Sequence, residues 1–525
     1  MSRSAPLVVR ELPGAPSPES FFGFLSRRPG AFLLDSAARG GGVDPAISRW
    51  SFFGCDPFLT LSARGGDIRL ETAREGNRPA SVRTQSGDPW KVLQQILGEF
   101  PAGNPGEGRS DGLPPFTTGA VGFLGYDLKH HIERLPEPGA PREMDDLWLG
   151  FAAAVGAWDH EAESLRLLSR GLQDGGGENA ARRALDDLER VVERAVDEAN
   201  GSRDARGDIP PGDPLRAGGA DEPTPGPSAR GDERNWSSSF TRGEYEEAVR
   251  FIQRRIAAGE IYQANLSQRF DIASAGEAWP LYAALRLRSP APFGAFLRCG
   301  ELEILSASPE LFLRRRGDVV ETRPIKGTRP RGVSPAADER LAGELLASEK
   351  DRAELVMIVD LERNDLGRVC RIGSIEVPEL FRLESWATVH HLVATVRGRL
   401  NPGIGPVDLL RAAFPGGSIT GAPKIRAMEI LDRVERTRRG AWTGAVGWID
   451  TLGDLDLHVA IRTAYRLRGR AWIQAGGGIT SPSEPAAEYE ETLAKARALA
   501  EAIAPGRRFP PRDAAAGAAP GEKIR

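Results

Sequence analysis

TGAVGWIDTLGDLDLHVAIRTAYRLRGRAWIQAGGGI, residues 443–479, is the stretch that decides the fold class. Three runs in it, TGAVGWI, DLHVAIRTAYRL and AWIQAGGGI, have the β-branched and aromatic content of strands. The residues between them, DTLGDL and RGR, are few and turn-forming. Strands joined so closely pair antiparallel, because a parallel crossover needs a dozen residues or more. Working outward, NLSQRFDI, GAFLRCG, LEILSASP and VVETRPI read the same way. So do AFLLDSAA, SRWSFFGCDPFLTLSA and FAAAVGAWDH, nearer the N-terminus. Helices are fewer. The periodicity predicts them near 88–99, 178–199, 336–353, 423–434 and 484–502, and another in FTRGEYEEAVRFIQRRIAAGEI, where Thr241 and Glu244 stand at capping-box spacing. The apolar run VMIVDL reads as a further strand. The fold class that follows is α+β with large, mainly antiparallel sheets, not a doubly wound sheet.

Composition narrows the function. The chain has 525 residues, 40% hydrophobic and 27% charged, with a net charge of −4. That is the balance of a globular protein with no basic footprint for nucleic acid or a membrane surface. No run of 18 apolar residues occurs, and the N-terminus lacks the apolar core of an export signal. Cys55, Cys299 and Cys370 form no CxxC pair, which suits a reducing compartment, the cytoplasm. The adjacent histidine pairs, His130–His131 and His390–His391, lack the helical spacing of zinc ligands. Residues 201–235 are rich in Gly, Pro, Asp and Arg and read as a linker or insertion. The organisation expected is an N-terminal region at 1–200, that linker, a catalytic region at 236–503 and a disordered tail at 504–525.

Of 69 cationic residues only seven are lysine. A chain so biased toward arginine keeps lysine where a guanidinium cannot substitute. Lys326, Lys350, Lys424 and Lys495 each sit in a polar, glycine- or carboxylate-rich motif. Lys326 stands in ETRPIKGTRPRG among Arg323, Arg329 and Arg331. A free lysine has a pKa of ~10.4, and positive neighbours or burial lower it toward a neutral, nucleophilic amine. The alternative is an ammonium that anchors an anion. Asp351 with Glu354, and Glu488 with Glu491, are i, i+3 pairs on two helices. Carboxylates ~4 Å apart repel by roughly 4 kcal/mol at an effective dielectric of 20. A divalent cation relieves this, and an all-oxygen set favours Mg²⁺, unless both pairs simply face solvent. The loops AFPGGSITGAPK and QAGGGITSPSE offer backbone N–H groups to an anion, or are simple tight turns.

Together these stretches resemble the chorismate-utilising enzymes, which comprise the anthranilate, aminodeoxychorismate, isochorismate and salicylate synthases. The segments that carry the resemblance are GEIYQANLSQRF, SASPELF, ETRPIKGTRPRG, AELVMIVDLERNDLGRV, VHHLVATVRG, AFPGGSITGAPKIRAMEIL, HVAIRTA and AGGGITSPSEPAAEYEETLAKA, in that order, with LLDSA, SRWSFFGCDP and TGAVGFLGYD upstream. The resemblance implies two antiparallel sheets packed together with helices outside. It implies Mg²⁺ held by Glu354 and Glu491, with Asp351 and Glu488 close behind, clamping the ring carboxylate of chorismate. Gly476, Gly477 and Gly478 would face that carboxylate, and Arg462 and Thr328 the enolpyruvyl carboxylate. Glu310 would be the general acid, His391 the active-site histidine and Lys495 the lysine near the metal.

Two positions select the branch. Gln263, counted with the substrate-binding residues, stands where the isochorismate and salicylate synthases place a water-activating lysine. Lys326 marks the aminodeoxychorismate branch, in which that lysine attacks C2 of chorismate and ammonia then enters at C4. The alternatives are the anthranilate branch and an inactive regulatory subunit. Trp442 departs from the family's usual tyrosine, and Ser36 matches a position near the tryptophan pocket of related chains. No glutaminase triad segment is evident, so ammonia is expected from a separate glutamine amidotransferase subunit or from free ammonium.

Overall fold

Short connections between strands build two large sheets. The structure, a computed structural model, describes residues 6–37, 45–73, 79–100, 112–173, 176–204 and 236–510. Among them are two twelve-stranded sheets whose strand pairs are antiparallel. In the first, N-terminal strands meet C-terminal strands where Phe32–Asp35 pairs with Phe293–Cys299. In the second the seam is Gly119–Leu124 against Ala445–Asp450. Most of the expected 201–235 linker, from residue 205, and the tail from residue 511 lie outside the described residues.

The sheets pack face to face with helices on their outer faces, as side-chain alternation requires. In Arg470–Ile479, Trp472 points to a core between the sheets that also holds Phe52, Val121, Phe123 and Trp448. Its neighbours Ala471 and Ile473 point the other way, toward the helices Glu178–Asp204, Arg242–Ala257 and Pro485–Ile503. The helices Pro89–Glu99 and Glu349–Gly367 cover the second sheet through Trp90, Leu93, Leu355 and Val359. The Thr241–Glu244 capping box is formed in both directions.

Two strand expectations are corrected. VMIVDL is not a strand but part of the helix Glu349–Gly367, capped by Ser348. Its buried residues Leu355, Ile358, Val359, Glu362 and Leu366 fall at helical spacing, a period that six apolar residues alone do not reveal. DLHVAIRTAYRL is not one strand but two, Leu455–Val459 in the second sheet and Thr463–Leu467 in the first. The chain changes sheets at Ala460–Arg462, where Arg462 takes φ +52°. A second crossover lies at Pro309–Glu310, between Leu302–Ser308 and Leu311–Arg316. The two crossovers are bonded to each other, Val459 N–H to the Glu310 carbonyl and Ala307 N–H to the Arg462 carbonyl, both at 3.0 Å.

Candidate active site

Glu310 and Arg462 thus stand side by side where the chain passes between sheets. Next to them lies the edge strand Ile325–Pro330, which pairs Lys326 with Leu392 and Thr328 with His391. Gly327 makes the register shift between them, with φ +77°. A Cβ at Gly327 would stand 2.7 Å from Leu345 Cδ1 and 3.0 Å from Asp351 Cβ, so only glycine fits.

Lys326 and Glu310 converge on Ser418, in the 3₁₀ turn Gly417–Ile419. Lys326 Nζ donates to the Ser418 carbonyl at 2.9 Å, and the Ser418 hydroxyl faces the Glu310 carboxyl. Burial lowers the Lys326 pKa; Glu354 and Glu310 oppose the shift and Lys495 adds to it. The neighbouring arginines are not the cause, because each is already paired. Arg323 meets Glu384 at 2.5 Å, Arg329 meets Asp351 at 3.1 Å and Arg331 meets Asp338 at 2.7 Å. Burial raises Glu310 to about 7, although Ser418 and Lys326 favour its ionised form. An amine made easier to deprotonate and an acid that keeps its proton near neutrality are therefore neighbours.

His391 accepts or donates at 3.1 Å to the Thr328 hydroxyl through Nδ1. Burial, then the positive Arg462, pushes its pKa down to about 4, so the ring is neutral at physiological pH. Arg462 Nη1 donates to the Lys495 carbonyl at 3.1 Å.

The glycine edge forms the opposite wall. Gly476, Gly477 and Gly478 pair with Ser267, Leu266 and Asn265. A Cβ at Gly477 would lie 2.9 Å from Glu488 Oε2 and 3.6 Å from Glu491 Oε1, so this backbone abuts the carboxylates. At Gly478 it would collide with Gln263, whose buried Oε1 has no hydrogen-bond partner. Lys495 Nζ donates to the Gly476 carbonyl at 2.8 Å and pairs with Glu491 Oε1 at 2.6 Å.

The four acidic residues expected as a cage are engaged unequally. Asp351 turns to Arg329, and Glu488 accepts from the Ser483 hydroxyl at 2.7 Å. Glu354 Oε1 is buried without a hydrogen-bond partner, its nearest cation being Lys350 at 3.9 Å. Among the described residues no three His, Cys, Asp or Glu side chains stand close enough to hold a metal by themselves. The donor set still suits magnesium. An orphaned buried carboxylate oxygen and a neighbouring carboxylate offer two oxygen ligands, and Mg²⁺ takes the rest of its shell from water or substrate.

Ser418 and Arg439 were not singled out in the sequence, and Lys424, which was, has a structural use. Ser418 acts through a main-chain carbonyl, which no side-chain pattern reveals. Lys424 Nζ is fully occupied by Asp365 Oδ2 at 2.6 Å and the carbonyls of Ala413 and Pro415 at 3.0 and 2.8 Å. Arg439 sits buried behind the Ser418 turn. Trp442 is buried too, and its Nε1 has no hydrogen-bond partner. A groove of about 680 Å³ lies elsewhere, beside the strands Leu59–Arg64 and Asp67–Thr72, so pocket size does not single out this site.

The chorismate binding enzyme family matches residues 57–501. Aminodeoxychorismate synthase component 1 of Escherichia coli (strain K12) is 37% identical over 505 residues, spanning 94% of this chain and 98% of that protein. Anthranilate synthase component 1 of Mycobacterium tuberculosis (strain ATCC 25618 / H37Rv) is 37% identical over 517 residues, spanning 96% and 93%. The crystal structure of anthranilate synthase component I from Streptococcus pneumoniae TIGR4 superposes with a TM-score of 0.68 at 28% identity, covering 88% of this chain and 95% of that one. With its two antiparallel sheets, its glycine edge and its paired crossovers, the chain belongs to the chorismate binding enzyme family.

Proposed function

We propose that this chain aminates chorismate at C4, giving 4-amino-4-deoxychorismate, with ammonia from a glutamine amidotransferase subunit. One observation carries the reading: the Lys326 amine and the Glu310 acid meet at Ser418, and burial drives both toward their uncharged forms. The neutral amine attacks C2, so that the N–C2 bond forms while the two ring double bonds shift and the C4–O bond breaks. Glu310 gives its proton to the departing hydroxyl, which leaves as water. Ammonia then bonds C4, the double bonds shift back and the C2–N bond to Lys326 breaks. The enolpyruvyl ether is untouched throughout.

Arg462 and Thr328 hold the enolpyruvyl carboxylate in this reading, and the Gly476–Gly478 backbone with Lys495 faces the ring carboxylate. Gln263 places no lysine where water would be activated. The neutral His391 serves as a hydrogen-bond partner to Thr328 and not as a cation. Magnesium, held by Glu354 and Glu491 with Glu488 and Asp351 behind, would neutralise the ring carboxylate's charge. The glutaminase partner is supported by the "component 1" in the relatives' names. Among the described residues no helix is long and apolar enough to cross a membrane, and the three cysteines are free thiols; the cytoplasm is the proposed location.

The anthranilate branch is the second reading, favoured by the M. tuberculosis relative at 37% identity. Mixing the chain with chorismate, Mg²⁺ and ammonium, and identifying the product by mass, separates the two. The expected product is aminodeoxychorismate with no pyruvate; anthranilate with equimolar pyruvate sinks the proposal.

A further inference from the structure

Arg439, almost wholly buried, takes no part in the chemistry above. Its Nε and Nη2 each donate at 2.8 Å to the Glu435 carboxylate. Nη1 donates to the Ile419 carbonyl at 2.9 Å and to the Thr443 hydroxyl at 3.3 Å, and Nη2 reaches the Asn265 carbonyl at 2.5 Å. Glu435 in turn accepts from the Ser267 N–H and hydroxyl, at 3.0 and 2.8 Å. The Tyr126 and Trp442 rings lie 4.5 and 5.0 Å from the guanidinium carbon. A planar fork with its donors matched and aromatic rings beside it has little freedom to rotate.

Two of its acceptors adjoin the site. Ile419 follows Ser418, whose carbonyl holds the Lys326 amine. Asn265 pairs with Gly478 of the glycine edge, and its N–H donates to the Thr420 carbonyl at 2.8 Å. We infer that Arg439 with Glu435 is a positioning clamp: it fixes the Ser418 turn against the strand that registers the glycine edge, and so aims the Lys326 amine at the ring. The inference rests on Lys326 being the nucleophile. Lys326 Nζ has one hydrogen-bond acceptor among the described residues, so the turn that carries this acceptor sets the amine's place.

The test uses the full chain with Arg439→Gln and Glu435→Gln together, which removes the fork without stranding a buried charge. Arg439→Lys, which keeps the charge but loses the fork, decides the question where the double variant fails to fold. Four quantities are read: kcat for ammonium-dependent amination, chorismate Kd by tryptophan fluorescence, melting temperature, and the pH midpoint of Lys326 modification by an amine-directed acylating reagent, mapped by peptide mass. The clamp predicts Kd within about threefold of the parent, kcat lower by roughly 10- to 100-fold, and a Lys326 midpoint moved up toward that of an ordinary lysine. An unchanged kcat in a folded variant overturns it. So does a fall in kcat with the Lys326 midpoint unmoved, which marks general loosening. A Lys326→Ala chain that aminates at the parent rate sinks the nucleophile reading instead, and the modification midpoint still reads the clamp.

Discussion

Three buried or half-buried lysines show three uses of a compact ammonium. Lys424 is a three-way donor to one carboxylate and two carbonyls, a geometry a flat guanidinium does not reproduce. Lys129 lies under the Tyr126 ring and pairs with Asp432. Lys326 meets one carbonyl and, among the described residues, no carboxylate at ion-pair distance, so its charge is the least compensated of the three. Lysine scarcity made this residue legible; the cause of its lowered pKa was not, because the arginines beside it in sequence are neutralised by Glu384, Asp351 and Asp338. Lys326→Ala and Lys326→Arg should each lower kcat by about 1,000-fold or more while leaving chorismate binding within a fewfold. Steady-state kinetics with fluorescence titration checks this. Glu310→Gln should abolish amination yet stabilise the fold above neutrality. The sign follows from the raised pKa: the folded chain binds the Glu310 proton more tightly, so this stability is present below the unfolded value of about 4.5 and is lost as pH rises through about 7. The melting temperature of Glu310→Gln should therefore gain on the parent between pH 6 and pH 8, and a constant difference would refute the assignment.

At the scale of elements, the site is assembled where regular structure is interrupted. Glu310 and Arg462 sit at two of the sheet-to-sheet crossovers, the pair bonded to each other, and Gly327 at a register shift in an edge strand. Antiparallel strands were legible from short turns, but a crossover was not. Continuous alternation through DLHVAIRTAYRL hides the change of sheet, which depends on one left-handed residue, Arg462. VMIVDL misled for the opposite reason, since its core-facing residues make sense only over the whole helix. Gly327→Ala tests how far the site depends on such an interruption. It adds backbone strain at φ +77° and drives a methyl into Leu345 and Asp351. Gly373→Ala has the same φ of +77° with open space around it, so it adds strain alone. Denaturant melts should show a loss of about 1 kcal/mol for Gly373→Ala and about 2–4 kcal/mol for Gly327→Ala. Only the latter should lower kcat.

At the scale of the whole molecule, the two regions expected from the sequence, 1–200 and 236–503, are joined through both sheets. Among the described residues each sheet has a single seam between them, four residue pairs long at Phe32–Asp35 and six at Gly119–Leu124. All three large cores draw residues from both regions. Ion pairs cross as well, Arg438 to Asp127 at 3.2 Å and Lys129 to Asp432. A half on its own would expose two unpaired strand edges and the apolar core surface that the other half covers, which is the condition for aggregation. The chain should therefore unfold as one unit, with near-ultraviolet and far-ultraviolet dichroism lost at the same midpoint. Fragments 1–204 and 236–525 should each be insoluble when expressed alone and form an active pair when expressed together. A soluble, cooperatively melting C-terminal fragment that aminates chorismate would show that the seams are dispensable. That outcome would assign the whole reaction to the Lys326 half, which holds every site residue proposed here, and would leave the N-terminal strands a covering role only.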